Sequence, residues 1–445
     1  MTPITAIDTV SFAAIGTKVS ESQAFQMVTP AITTQVSGWN GSAVRAFRSA
    51  DPARGTNQTG VRLYNERLAL SLIRHRGSLP KAEIARLTGL SAQTVSMIIK
   101  QLEADGLVLK ERPKRGGIGQ PPVPISLNPD GAFALGLKIG RRSADLMLLD
   151  LTGGIRGTVR STYRYPSPAH TVRLFTEGYE AVTRGLTPEQ RERICGVGIA
   201  APFEIWNWES EIGAPHEVLQ EWRGFDIEEE IARTFRGPVH LCNDATAACA
   251  AELTFGSGSR FRDYVYFFVG SFVGGGIVLN GSLFQGRNGN AGALGSMAVP
   301  AMGATGGAQQ LIRSASIYVL EKKLAEFGLD PMVLWQNPND WVELGPPLDE
   351  WIEEAATSLA IAALSAAAVV DCEAVIIDGA FPAAVRGRLA DAMRDRLAGL
   401  DRQGLSPFAV VEGTIGGDAR VMGGASVPLI ANFAIDRDVL FKEYR

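Results

Sequence analysis

The sequence predicts an α/β chain in two parts, a small N-terminal winged helix-turn-helix followed by a larger body of two similar lobes. Two short helices meet at Gly89, with Ser91 placed to cap the second and Gly106 to stop it. Two apolar strand segments follow at once, joined by the glycine-rich basic loop RPKRGGIGQP. Beyond Phe133 the pattern changes to short strands parted by glycine turns. Hairpin strands come first and crossovers with helices afterwards, in an order that occurs twice.

Residues 1–55 are rich in Ser, Thr, Ala and Gly without a period and are expected to be a disordered extension or an over-long reading frame. Arg62 to Arg76 predicts a first helix with Leu68, Leu72 and Ile73 on one side, stopped at Gly77. Pro80 opens the second, KAEIARLTG. In the third, Val95, Ile98, Ile99 and Leu102 fall at i, i+3, i+4 and i+7 and make one apolar face. The face left to solvent reads Gln93, Thr94, Ser96, Met97 and Lys100. Short hydrogen-bonding side chains without a block of acids suit a helix laid in a major groove, where base edges offer donors and acceptors. An ordinary amphipathic helix with a solvated face looks the same in isolation. LVLKE and PVPISL then read as paired strands, and Arg112, Lys114 and Arg115 at the tip between them can follow a phosphate backbone or enter a minor groove. A flexible solvated loop is the alternative there. Residues 56–128 are thus expected to form the DNA-binding domain, with Ser91, Gln93, Thr94, Ser96, Lys100, Lys114 and Arg115 as candidate contacts.

At 445 residues, 46% apolar and 20% charged, the balance is that of an ordinary globular protein with room for several domains. The net charge of -4 conceals an asymmetry: from Gly60 to Arg115 eleven basic residues stand against five acids, leaving +6. A basic module ahead of an acidic body is the electrostatic footprint of a nucleic-acid binder. Cys195, Cys242, Cys249 and Cys372 lie far apart with no C-x-x-C, which argues against disulfides and structural zinc and fits a reducing cytoplasm. No segment is expected to be long and apolar enough to span a bilayer. The nearest, IAALSAAAVV from Ile361, reads as a buried helix.

In the body, FALGLKIG, ADLMLLDLTG and IRGTVRSTYRY are expected as three successive antiparallel strands, with later strands at ICGVGIAAP, PVHLCND, DYVYFFVG, GGGIVLNG and AVIIDGAF. Helices are expected at Ala169–Arg184, Ile227–Arg236, Ala245–Phe255 and Trp351–Val370. The stretches GTNQTGVRLYNERLALSLIR, GLSAQTVSMIIKQLEADGL, IGQPPVPISLNP, LCNDATAACAAELTFG, VGSFVGGGIVLNGSLFQG and GNAGALGSM occur in the order of the ROK family (repressors, open reading frames and sugar kinases). From about Gly55 to Pro428 the chain resembles the repressor branch of that family. The resemblance implies a winged helix-turn-helix followed, over 129–445, by a two-lobed actin-like (ribonuclease H-like) ROK sugar-kinase fold with a ligand in the interlobe cleft.

Kinases of the family carry D-x-G-x-T at the first strand turn, where glycines cradle phosphate and the Asp helps to hold magnesium. Here the matching turn is Lys138, Ile139, Gly140, Arg141 and Arg142. It is expected either to attract an anion or to be a basic hairpin surface, but not to order magnesium and γ-phosphate for in-line transfer. Asn243 and Asp244 match the family's N-D pair, whose Asp is the general base in the kinases. Asp244 is read as a vestigial base, a buried carboxylate left to grip a polyol or water. An Asx turn capping the next helix is the alternative. Gly275, in the SFVGGG loop matching a second phosphate loop, and Gly292 are expected on the cleft walls, although successive glycines also serve simply to turn a strand. The family's E-x-G-H becomes Ala293, Leu294, Gly295 and Ser296, and Ala308 and Gln310 replace the Cys and Glu of its G-C-L-E. No thiolate or imidazole is left there for zinc. Gln310 can still bond a hydroxyl, and His216, near Trp222, is a further candidate for the cleft.

The expected ligand-binding set is therefore Asn243, Asp244, Gly275, Gly292 and Gln310, with no catalytic residue, metal or cofactor. The function expected is a cytoplasmic DNA-binding transcriptional regulator, a homodimer or homotetramer repressing carbohydrate uptake or catabolism genes. Its partners would be double-stranded operator DNA and a sugar or sugar-derivative effector, with no membrane. Asp244 favours an alternative, a sugar kinase or bifunctional kinase-regulator, and the altered phosphate turn opposes it.

Overall fold

The computed structural model describes residues 58–113, 122–202, 205–207, 215–301 and 307–435. The extension expected at 1–55, and Lys114 and Arg115 of the basic loop, lie outside the described residues.

Local signals build the small module as expected. Helices α1 (Gln58–Arg76), α2 (Lys81–Thr88) and α3 (Ala92–Ala104) follow one another. Gly89 ends α2 in the left-handed region at φ 71°, its N–H donating to Ala85 O, a conformation that favours glycine. Ser91 then caps α3, its hydroxyl accepting from Thr94 N at 3.1 Å. Val95, Ile98, Ile99 and Leu102 are all buried. In α1 the expectation was partly wrong: Ala69, Leu70 and Ile73 are buried, whereas Leu68 and Leu72 are only half-buried. This helix is packed by α3 on one side and by the body on another, so no single apolar stripe marks its inward face. Strands β2 (Val108–Lys110) and β3 (Pro124–Leu127) pair antiparallel, and the short β1 (Leu79–Pro80) adds a third strand beside β3.

In the body one topology occurs twice. The first sheet holds β4 (Phe133–Ile139), β5 (Ser143–Asp150), β6 (Ile155–Thr162), β7 (Ile194–Ala201) and β8 (Val239–Asn243), in the order β6-β5-β4-β7-β8. The second holds β9 (Tyr264–Val269), β10 (Val273–Leu279), β11 (Ser282–Phe284), β14 (Ala374–Gly379) and β15 (Ala409–Glu412), in the order β11-β10-β9-β14-β15. Each is an antiparallel meander extended by two parallel strands. A separate ribbon pairs β12 (Ala298–Pro300) with β13 (Ala308–Gln310). Helices α4 (Pro168–Thr183) and α5 (Ile227–Thr234) share a core with the first sheet. Helices α7 (Ile317–Glu326), α8 (Pro346–Val370) and α9 (Ala383–Ala398) do the same for the second.

Between the sheets run α6 (Asp244–Phe255), which packs on β9 and β10, and α10 (Ala419–Phe433), which packs on β4 and β7; the two helices also pack on each other. The period of two along β4 explains how one strand serves several neighbours. Phe133, Leu135, Leu137 and Ile139 enter the core under α4 and α5. On the other face, Ala134 joins a core made with α1, α2, α3 and α10, Gly136 meets the backbone of α10, and Lys138 reaches the cleft.

One expectation is corrected by α8. At 25 residues and a mean hydropathy of 1.4 over its most apolar stretch, it is long and apolar enough to cross a membrane by length and composition. Here 56% of that stretch is buried in the protein, with Trp351, Ala355, Leu359 and Ala363 in the second lobe's core.

The seating of α10 depends on missing side chains. A Cβ on Gly136 would lie 2.1 Å from Val421 O, one on Gly198 1.9 Å from Gly424 O, and one on Gly423 1.8 Å from Ala247 O. Pro428, inside α10, has no N–H to donate to Gly424 O, and that carbonyl is the one turned toward Gly198. Gly198→Ala and Gly423→Ala are each expected to lower the free energy of unfolding in urea by about 3 kcal/mol or more, at or beyond the usual range for overpacking. Gly185→Ala, where a Cβ meets nothing within 4 Å, should be neutral or slightly stabilising. Equal effects at the three positions would refute the backbone contact.

Candidate DNA-binding face and interlobe cleft

On α3 the buried apolar face leaves Gln93, Ser96, Met97 and Lys100 exposed, with Thr94 half-buried. Ser91 and Thr94 have a local task as well, their hydroxyls lying 2.8 Å apart at the start of the helix. Met97, at 67% exposure, is the large apolar group on this face. The candidate list drawn from sequence left it out, although its place beside Gln93 and Ser96 was already plain. A thymine methyl is the base group such a side chain would meet.

The module's charge is distributed less uniformly than its count suggests. Arg86 pairs with Glu83, Lys110 with Glu103 and Arg62 with Glu66. Arg67 and Arg74 turn inward and donate to body carbonyls, Arg67 to Ala431 O at 2.9 Å and Arg74 to Leu151 O at 2.6 Å. Burial pulls the Arg74 guanidinium down to about 10.

In the cleft, Lys138 and Arg141 of the turn after β4 are buried and ion-paired, unlike the open anion site or basic surface expected for it. Lys138 is buried and donates to Asp145 Oδ2 at 2.5 Å and to Ser143 Oγ at 2.9 Å. Its Cε lies 2.7 Å from where a Cβ on Gly140 would stand, so the hollow over that glycine is filled by the chain itself. Arg141 is buried too, and pairs across the cleft with Glu321 of α7 at 3.0 Å, Glu321 also accepting from Trp335 Nε1 at 2.7 Å. Burial and the like charge of Arg420 pull the Lys138 ammonium down to about 8 against the attraction of Asp145. Burial pushes the Asp145 carboxyl up, but Lys138 and Arg160 outweigh it and hold it below the usual carboxylate range. Both groups are therefore charged at neutral pH. The contribution of Asp145 is present above the ordinary carboxylate pKa and is lost only as pH falls through its lowered value.

Asn243 and Asp244 sit where β8 runs into α6, where Asn243 makes the Asx cap named as the alternative and Asp244 is ion-paired. Asn243 is the helix cap, its Oδ1 accepting from Ala245 N at 3.0 Å and Thr246 N at 3.3 Å. Asp244 is not an unpaired carboxylate: Arg420, in the first turn of α10, donates to its Oδ2 at 3.2 Å. Arg420 also lies 5.1 Å from the Phe268 ring centroid, while its buried Nε has no hydrogen-bond partner among the described residues. Asp145 further accepts from Arg160 at 2.6 Å, and Arg160 donates to Asp418 at 3.1 Å. The charges that line this corner of the cleft are thus matched within the protein.

Of the remaining candidates, Gly275 follows Gly274, where a Cβ would meet Ala245 beside Asp244. A Cβ on Gly275 would strike Tyr266 O at 2.3 Å and Leu294 at 2.4 Å, and one on Gly292, at φ 80°, would strike Gly276 Cα at 2.7 Å. These glycines let the loop carrying Leu294 close onto β10. Gln310 is exposed on the β12–β13 ribbon. His216 is exposed at the start of a short helix, whereas Trp222 is buried with Nε1 donating to Pro166 O. A surface cavity of about 600 Å³ lies elsewhere, lined by Pro168, Val172, Arg173, Phe225 and Glu230 of the first lobe. The missed cleft residues, Arg420, Glu321 and Arg160, come from distant parts of the chain and from no motif. The cysteines are free, with burial pushing Cys195 and Cys242 up to about 12, too high for ready thiolate chemistry.

A winged helix-turn-helix ahead of a duplicated α/β body defines a class in which a nucleic-acid-binding module is joined to a sugar-kinase-like fold. Residues 134–316 match the ROK family and residues 64–117 the MarR family. The chain therefore carries a ROK family domain joined to a MarR-type winged-helix DNA-binding domain. Among curated relatives it is 24% identical over 371 residues to the uncharacterized protein y4fQ of Sinorhizobium fredii, spanning 83% of this chain and 91% of that one. It is 26% identical over 244 residues to the xylose repressor of Bacillus spizizenii, and 25% over 247 residues to the transcriptional dual regulator NagC of Escherichia coli. Those two matches span 55% of this chain, and 62% and 59% of the respective relatives. Among solved structures, a ROK family transcriptional regulator described as a homologue of the E. coli MLC protein aligns with TM-score 0.61 at 20% identity, over 86% of this chain and 98% of its own. A ROK family glucokinase from Streptomyces griseus, solved with glucose and AMPPNP, aligns with TM-score 0.52 at 20% identity, over 66% and 99%.

Asp145→Ala strands the buried Lys138 ammonium and is expected to cost about 3–5 kcal/mol in urea unfolding. Lys138→Met leaves Asp145 with Arg160 and should cost clearly less. The reverse order would mean that Asp145, not Lys138, is the dependent partner.

Proposed function

We propose that this protein is a transcriptional repressor of genes for sugar metabolism, with an effector sugar taken up in a cleft that no longer transfers phosphate. The observation that carries the reading is the open polar face of α3. Its apolar side is fully used in the core, while Gln93, Ser96, Met97 and Lys100 are left to a partner. The repressors named among its relatives support the same assignment, and the sugar class of the effector comes from them. In this reading Gln93, Ser96 and Met97 meet base edges and Lys100 a phosphate, with Ser91 and Thr94 at the helix start and Lys114 and Arg115 contributing from the wing. Two copies related by a two-fold axis would meet an inverted repeat in DNA. The loss of phosphate transfer is supported by the filled hollow at Gly140 and by the pairing of Asp244 with Arg420. A general base held by a guanidinium is a weakened one. The cytoplasm is the expected compartment.

A 30-base-pair duplex selected from a random pool by the full-length protein tests the reading. Lys100→Ala should weaken binding to every sequence and reduce the salt slope by about 1, as a single phosphate contact does. Gln93→Ala should change which bases are selected, and replacing thymine by uracil should weaken wild type but not Met97→Ala. Failure to enrich any sequence, together with unaltered affinity in Lys100→Ala, would remove the DNA-binding assignment. Magnesium-dependent phosphorylation of any hexose at about one turnover per second or more would overturn the non-enzymatic one.

A further inference from the structure

The two helices between the lobes both begin at the cleft and both end at α1. Helix α6 starts with Asp244 and finishes at Phe255; α10 starts beside Arg420, and its last turn holds Ala431. At the cleft their first turns are tied by the Arg420–Asp244 pair at 3.2 Å. At the far end α1 holds each of them with a different arginine. Arg67 donates to Ala431 O at 2.9 Å and to Ala434 O at 3.5 Å, capping α10. Arg74, two turns further along α1, lies 5.6 Å from the ring centroid of Phe255, the last residue of α6. By helical rise the two rods are about 18 and 22 Å long, so cleft and α1 are well separated.

The rods also belong to different lobes. Helix α10 is seated on β4 and β7 through Gly136 and Gly198, whereas α6 is seated on β10, where a Cβ on Gly274 would meet Ala245 at 2.6 Å and one on Gly276 would meet Cys249 at 2.5 Å. A change in interlobe angle would therefore slide one rod along the other at the separation set by Gly423 and Ala247, and α1, bonded to α10 through Arg67 and resting on Phe255 of α6 through Arg74, would tilt. We propose that α6 and α10 form a two-rod linkage from the cleft to the DNA-binding module, with Arg67 and Arg74 of α1 as its coupling residues. This rests on the regulatory reading above, but not on any particular effector. The unused Nε of Arg420 and the exchangeable partner of its other nitrogens place the input at the Asp244–Arg420 contact.

Hydrogen exchange of the full-length protein without DNA tests the linkage. Asp244→Asn, which removes the charge facing Arg420, is expected to change exchange in residues 58–76 by roughly fivefold or more, the lower end of ordinary allosteric coupling. With Arg67→Gln and Arg74→Gln also in place, the same substitution should still alter residues 244–247 and 418–421 but leave 58–76 at the value set by the arginine changes alone. Arg67→Lys, which keeps charge and one donor, should retain part of the response and serves as a folding control. No response of 58–76 to Asp244→Asn, or an undiminished response without the two arginines, overturns the linkage. Because exchange is read without DNA, failure of the linkage and failure of DNA binding are separate results.

Discussion

The architecture depends on the backbone of α10 touching the backbones around it. Carbonyls of Val421 and Gly424 face Gly136 and Gly198 in two neighbouring parallel strands, and Gly423 faces Ala247 of α6. Contact this close carries no side-chain volume that could repack, so the distance of approach is fixed within narrow limits. The proline at 428 belongs to the same arrangement, since it frees the carbonyl of Gly424 from the helix ladder. With α10 placed, the first sheet and the C-terminal grip for α1 are placed with it.

Around that frame, charged groups of the cleft pair with one another. Asp244 with Arg420, Lys138 with Asp145, Asp145 with Arg160, Arg160 with Asp418 and Arg141 with Glu321 match opposite charges, several of them buried. Any ligand that engaged Asp244 would have to compete with Arg420.

The parts of the fold fixed by neighbouring residues were legible in the sequence. Ser91 and Gly89 bracket the turn before α3 because a hydroxyl cap and a left-handed glycine are local requirements, and the i, i+3, i+4, i+7 spacing of Val95, Ile98, Ile99 and Leu102 named the buried face correctly. The inward face of α1 was misjudged, because its neighbours lie in the body and lend it no stripe of its own. At the site, the Lys138–Asp145 pair was within reach: the two residues are direct cross-strand partners once the hairpin between β4 and β5 is recognised. Arg141 with Glu321 and Arg420 with Asp244 were not, being 180 and 176 positions apart with no local pattern to join them. The cap at Asn243 was among the readings offered, whereas the pairing of Asp244 with Arg420 is visible only in the fold.

The core shared by the module and the body has a consequence for how such proteins can be recombined. Leu70, Ile73, Ile99 and Val108 pack in one apolar cluster with Ala134, Met147, Leu149 and Leu429, and Arg193 of the body donates to Asp105 O just past the end of α3. A helix-turn-helix taken from another chain and fused at Asn128 would meet an apolar sheet face cut to a different shape, and carbonyls at Leu151, Ala431 and Ala434 with no arginine to receive. The reading head is accordingly not an interchangeable part. A chimera would have to carry its matching half of the interface across with it, so the smallest transferable unit is the module together with the outer residues of β4, β5 and α10.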